Sequence, residues 1–118
     1  MRRQTLGRRG EDFAAHHLEA RGWTILQRNW RCEHGEIDII ASTPDTGTVV
    51  FVEVRTRSTT NAGHPLESIG TRKAARMRRT AGAWLSQQPH FVPSFRIDVI
   101  GLVWADAEPE LTHLEGLE

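Results

Sequence analysis

The fold is decided by two strand-like runs and the turn between them, GEIDIIASTPDTGTVVFVEVR, at residues 35–55. Residues 36–42 and 48–56 are rich in β-branched and other apolar side chains, which is typical of strands. Between them, Pro44 to Gly47 supply the proline, aspartate and glycine that favour a tight turn. The sequence therefore predicts a β-hairpin.

Acidic side chains interrupt the first run of this hairpin. Alternate side chains of a strand share a face, so Glu36 and Asp38 are predicted to lie on the same side. The predicted faces are Glu36, Asp38 and Ile40 on one side, and Ile37, Ile39 and Ala41 on the other. Asp38, between two isoleucines, is predicted to be buried.

The second run has an acid near its centre. Glu53 stands among valines and a phenylalanine and should be largely buried. An unpaired buried carboxylate is costly, so Glu53 must find a cation or take up a proton. The predicted faces are Val50, Val52 and Val54 on one side, and Val49, Phe51, Glu53 and Arg55 on the other.

Antiparallel pairing would make Asp38 and Glu53 near neighbours, because directly opposed side chains on adjacent strands are about 5 Å apart. Two carboxylates at that distance repel each other. A hard divalent cation such as Mg²⁺ relieves the repulsion, since it prefers one or two carboxylates together with waters and phosphate oxygens. The alternative is a buried ion network in which Arg55 and another arginine neutralise the acids.

The rest of the sequence predicts helices and further strands around the hairpin. Helical periodicity and end signals predict helices at 5–21, with Thr5 as N-cap and Gly22 as the stop, and at 68–87. Further predicted strands are a short one after Gly22, one at 95–104, and an edge strand at 111–114 within an acidic tail from about residue 105. This order predicts a single α/β domain over residues 1–118, a mixed β-sheet flanked by helices.

Composition narrows the class of protein. The 118 residues are 38% hydrophobic, enough for one core. No stretch approaches the roughly 20 apolar residues of a membrane span, and no signal-type run follows the charged start. A cytoplasmic protein with no membrane partner is expected. The lone Cys32 excludes an internal disulfide, and the histidines lack the spacing of a zinc site.

The net charge of zero conceals an uneven distribution. Residues 1–31 have seven arginines against three acids, residues 55–79 have seven basic residues against one acid, and residues 98–118 have six carboxylates without lysine or arginine. Guanidinium groups pair well with phosphate oxygens, although such segments can also be ordinary solvated helix faces. The predicted nucleic-acid-binding residues are Arg8, Arg9, Arg57, Lys73, Arg76 and Arg79.

Two residues of the predicted helices have alternative interpretations. Glu11 shares a helix face with small and apolar residues, so it is either a third acid of the site or an exposed acid of the first turn. Lys73 is the only lysine of the chain, and it lies four residues from both Ile69 and Met77. Its ammonium group either points to the acids or reaches water while its stem covers the core. Asp98 shares a strand face with Arg96, which favours an ion pair.

With GEIDII at residues 35–40 and VFVEVR at residues 50–55, the chain resembles the YraN-like family of bacterial proteins, distant relatives of archaeal Holliday junction resolvases. The resemblance extends from Gly10 to Ile100 and covers most of the chain. It implies a restriction-endonuclease-like fold and a PD-(D/E)xK metal site, in which Asp38 and Glu53 match the motif acids and Glu11 the helical acid. In that chemistry the acids hold Mg²⁺ or Mn²⁺, which polarises the scissile phosphate and activates water.

The chain departs from this motif at Arg55, where a lysine is expected. Arginine stays protonated, so it can stabilise negative charge but cannot readily act as a general base. We predict a metal-dependent endonuclease acting on DNA, with branched or flapped DNA favoured by analogy. The alternatives are a catalytically inactive nucleic-acid-binding module and a protein-interaction domain of a DNA-processing assembly. A homodimer is left open.

Overall fold

The computed structural model describes residues 4–117, so the charged start at residues 1–3 and the last acid of the tail, Glu118, lie outside the described residues. The elements follow the predicted order. They are α1 (Leu6–Ala20), β1 (Thr24–Cys32), β2 (Gly35–Ser42), β3 (Val49–Arg57), a 3-10 helix (Pro65–Ser68), α2 (Thr71–Ser86), β4 (Phe95–Val103) and β5 (Glu110–Leu114).

Within residues 4–117 the strands form one sheet in the order β1-β2-β3-β4-β5. β3 and β4 run parallel, whereas the other neighbouring strands are antiparallel. A parallel connection has to cross a face of the sheet, and α2 lies in this crossover. The predicted α/β class, a mixed sheet flanked by helices, is confirmed, as is the antiparallel β2–β3 hairpin.

Local signals account for the helix ends. The Thr5 side chain accepts a hydrogen bond of 3.2 Å from the Arg8 N–H, and Gly22 leaves α1 with a φ of +87°, which glycine adopts without strain. α2 begins later than predicted because the chain from Pro65 forms a separate 3-10 turn. β1, with nine residues, is longer than the short strand predicted. Neither helix is long and apolar enough to cross a membrane.

Two apolar clusters cover opposite faces of the sheet. The cluster under α1 includes Ala14, Leu18, Ile39, Val50, Val52 and Ile100. The cluster under α2 includes Ile40, Phe51, Met77, Trp84, Ile97 and Val99. The predicted faces of β3 are therefore confirmed: the even-numbered valines face α1, and Phe51 faces α2. Glu53 shares the face of Phe51 and is directed to the α2 side.

The predicted alternation of β2 is wrong at one residue. Ile37 packs under α2 with Ile40, whereas Ile39 lies under α1. The change accompanies a local feature of the β1–β2 ladder: Asn29 has a left-handed φ of +52°, and the register leaves Asn29 and Asp38 unpaired. Asp38 therefore lies where the alternation of β2 breaks, and it lines cavities on both faces of the sheet.

Gly10 brings α1 directly onto the sheet. A Cβ atom at this position would overlap the side chain of Thr56 in β3. Because the backbone of α1 lies directly on the Thr56 side chain here, the next residue of the helix, Glu11, is held close to the end of the sheet at which Asp38 lies.

Candidate metal centre

The hairpin brings two carboxyl groups side by side. Its register pairs Ile39 with Val52, so Asp38 and Glu53 are the next residues of the two strands. Their carboxyl groups are close enough for the charge of Glu53 to act directly on Asp38. Glu53 is buried, with 9% of its surface exposed, and Asp38 is partly buried. We call these two residues the acid pair.

The acid pair is electrostatically unfavourable when both groups are ionised. Burial, and after it the negative charge of Glu53, raise the pKa of Asp38 to about 8. A hydrogen bond from the Val54 N–H opposes this effect, and the charge of Glu11 adds to it. Asp38 therefore holds a proton at neutral pH in the metal-free protein, as expected when two buried carboxyl groups share a site.

A cavity of about 220 Å³ opens onto the acid pair on the α2 side of the sheet. This acid-pair cavity is lined by Asp38, Glu53, Lys73, Arg76 and Thr80, among others. Lys73 Nζ lies 3.4 Å from Glu53 Oε2, and the lysine side chain is only 26% exposed. Of the two interpretations of Lys73, the structure supports the one in which its ammonium group points to the acids.

A second cavity, of about 490 Å³, lies on the α1 side, and Asp38 lines it as well. This α1-side cavity also contains Glu11, Arg8 and Asn29. Burial raises the pKa of Glu11. Glu11 belongs to α1 whereas Glu53 faces α2, so the two acids approach Asp38 from opposite faces of the sheet. Among the described residues, these three acids do not form a cluster with all ligating atoms within 4.8 Å.

Arg55 follows Glu53 on the same face of β3, but it does not line the acid-pair cavity. It pairs in register with Gly101 of β4, a position that the side chains of His64 and Leu66 approach closely. In the part of the chain that the structure describes, Arg55 has no acidic partner within 4.0 Å. The cation beside the acid pair is therefore provided by α2 and not by β3.

Only some of the predicted nucleic-acid-binding residues line the two cavities. Arg8 lines the α1-side cavity and Arg76 lines the acid-pair cavity, so the acid pair has a cation on either side. Arg79 is exposed further along α2, and Arg57 is partly buried at the end of β3. Arg9 stacks its guanidinium group 4.3 Å from the centre of an indole ring, which leaves it exposed but held in place.

The structure adds Asn29 and Glu36 to the residues that sequence reasoning selected. Glu36 lines both cavities, and its charge, after burial, contributes to the raised pKa of Glu11. Asn29 lines the α1-side cavity together with Glu11. Both had a signal in the sequence: Glu36 alternates with Asp38, and asparagine is among the few residues other than glycine that tolerate a left-handed conformation.

A second group of metal-ligating side chains, Asp98, His113 and Glu115, has its ligating atoms within 4.8 Å of one another. Asp98 is fully buried, and it accepts hydrogen bonds from Arg96 Nε at 3.0 Å, His113 Nε2 at 2.8 Å and the Gly116 N–H at 3.0 Å. Although burial acts to raise it, the His113 and Arg96 hydrogen bonds hold the pKa of Asp98 below its ordinary value. The predicted Arg96–Asp98 ion pair is confirmed. A metal would have to displace these donors, so the group is better described as an ion-pair network.

The acid pair fits a divalent cation better than the group around Asp98 does. Glu53 Oε2 is buried, and among the described residues no donor makes a well-aligned hydrogen bond to it. Only Oδ2 of Asp38 is bound by the Val54 N–H, which leaves Oδ1 available. Mg²⁺ and Mn²⁺ accept one or two carboxylates and complete their shell with water and phosphate oxygens. The residues present therefore fit the predicted cofactor.

Fold and site define a small α/β protein with a buried acid pair between a β-hairpin and a crossover helix. The chain belongs to the Uncharacterised protein family UPF0102, whose model matches residues 10–102. It is 50% identical over 117 residues to a UPF0102 protein of Leifsonia xyli subsp. xyli, covering 98% of both chains. It is 46% identical over 116 residues to a UPF0102 protein of Mycobacterium sp. (strain KMS), covering 98% of this chain and 86% of the relative. The predicted family is thereby confirmed, whereas its relation to Holliday junction resolvases stays a prediction.

Proposed function

We propose that the protein is a metal-dependent endonuclease that hydrolyses phosphodiester bonds of DNA at the acid pair. Asp38 and Glu53 hold Mg²⁺ or Mn²⁺, and Glu11 assists from the α1-side cavity. The bound cation supplies polarisation of the scissile phosphate and activation of water. Arg55 does not line the acid-pair cavity, and an arginine cannot readily accept a proton, so the general-base role of the motif lysine is not assigned to it.

The observation that carries this proposal is the placement of the partly buried Asp38 beside the buried Glu53. Two carboxyl groups in one cavity are stable only with a shared proton or a cation, and a divalent cation replaces the proton when it binds. Structural ion pairs give a carboxylate a full set of donors, as Asp98 has. The acid pair lacks such a set, which is typical of a site that is completed by a ligand.

The charges around the acid pair favour a polyanionic substrate. Arg8 lies on the α1 side, and Lys73 and Arg76 lie on the α2 side, so a phosphate backbone that crosses the site meets cations before and after the acids. DNA, available with Mg²⁺ in the cytoplasm, is the substrate in this proposal, with branched or flapped forms favoured by the family resemblance. A homodimer belongs to the same proposal, and sedimentation at several concentrations tests it.

Cleavage assays test the proposal directly. Linear duplex, single-stranded, flapped and four-way DNA are incubated with the protein in Mg²⁺ or Mn²⁺, and in chelator. Asp38→Asn and Glu53→Gln, purified in the same way, show whether any activity belongs to the acid pair or to a contaminating nuclease. The expected result is metal-dependent cleavage by the wild type that both variants lose. Cleavage that survives in both variants would remove the acid pair from the mechanism.

A second candidate function is a nucleic-acid-binding module without turnover. The observation that favours it is Arg55, because arginine at this position lacks the proton chemistry that lysine offers. In that case the wild type binds DNA with a steep salt dependence but cleaves none of the panel. Absence of both binding and cleavage would leave the third alternative, a protein-interaction domain.

A further inference from the structure

The lysine that the nuclease motif lacks at residue 55 has a counterpart elsewhere in the chain. Lys73 is presented by the crossover helix α2, and its Nζ lies 3.4 Å from Glu53 Oε2. Among the described residues, it is the only basic side chain within 4.0 Å of either member of the acid pair. No arginine that the structure describes therefore forms an ion pair with the acid pair.

Packing fixes the part of α2 that carries Lys73. Ala74 and Met77, on the same helix, are buried against the sheet with 4% and 8% exposure, so α2 cannot turn without opening the core. Arg76 also lines the acid-pair cavity, but the stem of Arg76 packs over Gly35, where a Cβ atom would lie 3.4 Å from its Cδ. Arg76 has no acidic partner within 4.0 Å among the residues described. The lysine thus contacts the acid pair, and the arginine lies beside it.

We propose that Lys73 takes the place of the lysine that the motif expects at residue 55: from α2 its ammonium group contacts the Glu53 carboxylate and faces the phosphate of the bound strand. This inference rests on the proposed function. A compact ammonium group on a flexible stem suits both contacts, because it can turn from a carboxylate oxygen to a phosphate oxygen without moving the helix.

Removal of the Lys73 charge should change the metal affinity and the cleavage rate in opposite directions. An ammonium group beside Glu53 repels a divalent cation, so its removal should tighten metal binding. The same removal should slow cleavage, because a cation that faces the developing charge of the phosphate is lost. A lysine that only stabilises the fold would not produce this combination, since damage to the fold weakens metal binding and cleavage together.

The test compares K73M with R72M, a matched variant that removes the same charge from the adjacent, exposed residue of α2. Mn²⁺ affinity is measured by calorimetry, and cleavage by single-turnover assay at saturating Mn²⁺. For K73M we expect Mn²⁺ affinity to rise on the order of tenfold and cleavage to fall about 100-fold. R72M should stay within about twofold of the wild type in both, because an exposed charge is screened by solvent.

Two further variants keep the test decisive. K73R retains the charge and should bind Mn²⁺ as the wild type does, and K73Q replaces K73M if thermal melts show that K73M is unfolded. Equal Mn²⁺ affinities for K73M and R72M would overturn the inference, as would unchanged cleavage by K73M. If the wild type binds Mn²⁺ but cleaves no DNA, the proposed endonuclease fails, and the affinity comparison still decides whether Lys73 acts on the acid pair.

Discussion

Asp38 Oδ2 accepts a hydrogen bond of 2.7 Å from the backbone N–H of Val54, the residue that follows Glu53. This bond links Asp38 of β2 to the backbone of β3, at a position where Asp38 is not paired with a residue of β1. It favours the ionised form of Asp38, whereas burial and Glu53 favour the protonated form, and the latter effects prevail. Metal binding therefore has to compete with a proton on Asp38.

The stability of the metal-free protein should depend on pH through Asp38. The pKa of this group is about 8 in the folded protein against 3.8 as the ordinary value. Because the folded state binds the proton more tightly, the stabilisation is complete below about pH 4 and is lost as the pH rises to about 8. Urea unfolding in chelator between about pH 5 and pH 8 should show this fall for the wild type and much less for Asp38→Asn. Asp106→Asn, at an exposed loop residue, is the control. An equally steep fall in Asp38→Asn would contradict the assignment.

Mg²⁺ or Mn²⁺ should raise the melting temperature, because a cation that relieves the repulsion within the acid pair binds only the folded state. The shift should grow with metal concentration and with pH up to about 8, since the metal displaces the proton of Asp38. Thermal melts of the wild type, Asp38→Asn and Asp106→Asn measure it. Asp106→Asn should respond as the wild type does, and Asp38→Asn should lose most of the response. Equal shifts in all three proteins would exclude Asp38 as a ligand.

Glu53→Gln separates catalysis from structure. The change keeps the shape of the side chain and removes its charge, so cleavage should fall by about two orders of magnitude or more while DNA affinity stays the same or increases. In chelator, the free energy of unfolding should stay unchanged or rise, because repulsion with Asp38 disappears and the partly exposed Lys73 can be solvated. Chemical denaturation and cleavage are measured on the same preparation, with Glu19→Gln, at an exposed acid of α1, as control. A loss of several kcal/mol in stability would instead indicate a structural ion pair.

DNA affinity should fall steeply with salt, since each contact between a cation and a phosphate of duplex DNA contributes about 0.9 to the log–log slope. Arg76→Glu should weaken binding and lower the slope, because Arg76 lines the acid-pair cavity. Arg78→Glu makes the same charge change on an exposed residue of α2 that lines neither cavity, and it should have the smaller effect. Fluorescence anisotropy titrations at several salt concentrations give both quantities. Identical effects of the two variants, or binding insensitive to salt, would argue against DNA crossing this site.

Asp98 should contribute to the stability of the fold and not to metal binding. Asp98→Asn removes the charge from a buried carboxylate that Arg96 and His113 surround, and it should cost about 3 kcal/mol of unfolding free energy. The folded-state pKa of Asp98 is lowered, so its contribution is present above about pH 4 and is lost as the pH falls further. Urea unfolding checks the cost, and the thermal shift in Mn²⁺ should match that of the wild type. A lost metal response would reassign the metal to this network.

The sequence predicted most of the fold because its hairpin signals were local. The turn from Pro44 to Gly47 and the apolar alternation of residues 48–56 suffice to define the hairpin, and they place Glu53 on the face where it is found. It did not predict the break in the alternation of β2, which accompanies the left-handed conformation of Asn29 in the partner strand.

The candidate site was predictable only in part. Contact between Asp38 and Glu53 follows from hairpin register, which a sequence pattern can indicate. The separation of Glu11 from Glu53 by the sheet does not follow from hairpin register, because it depends on which face of the sheet each helix covers. The position of Lys73 was left open for the same reason: helical periodicity gives a direction around the helix axis, but the distance to the acids is set by the tertiary packing of α2.

The parallel pairing of β3 and β4 has a consequence for how such sites can be found. Since the chain must pass over the sheet between these strands, the crossover helix α2 covers the face of the sheet on which Glu53 lies. A lysine of that helix can therefore lie beside the acids although it is distant from them in sequence. Searches that require acid and lysine within one short linear motif would overlook proteins of this kind, whereas searches by three-dimensional arrangement of side chains would detect them.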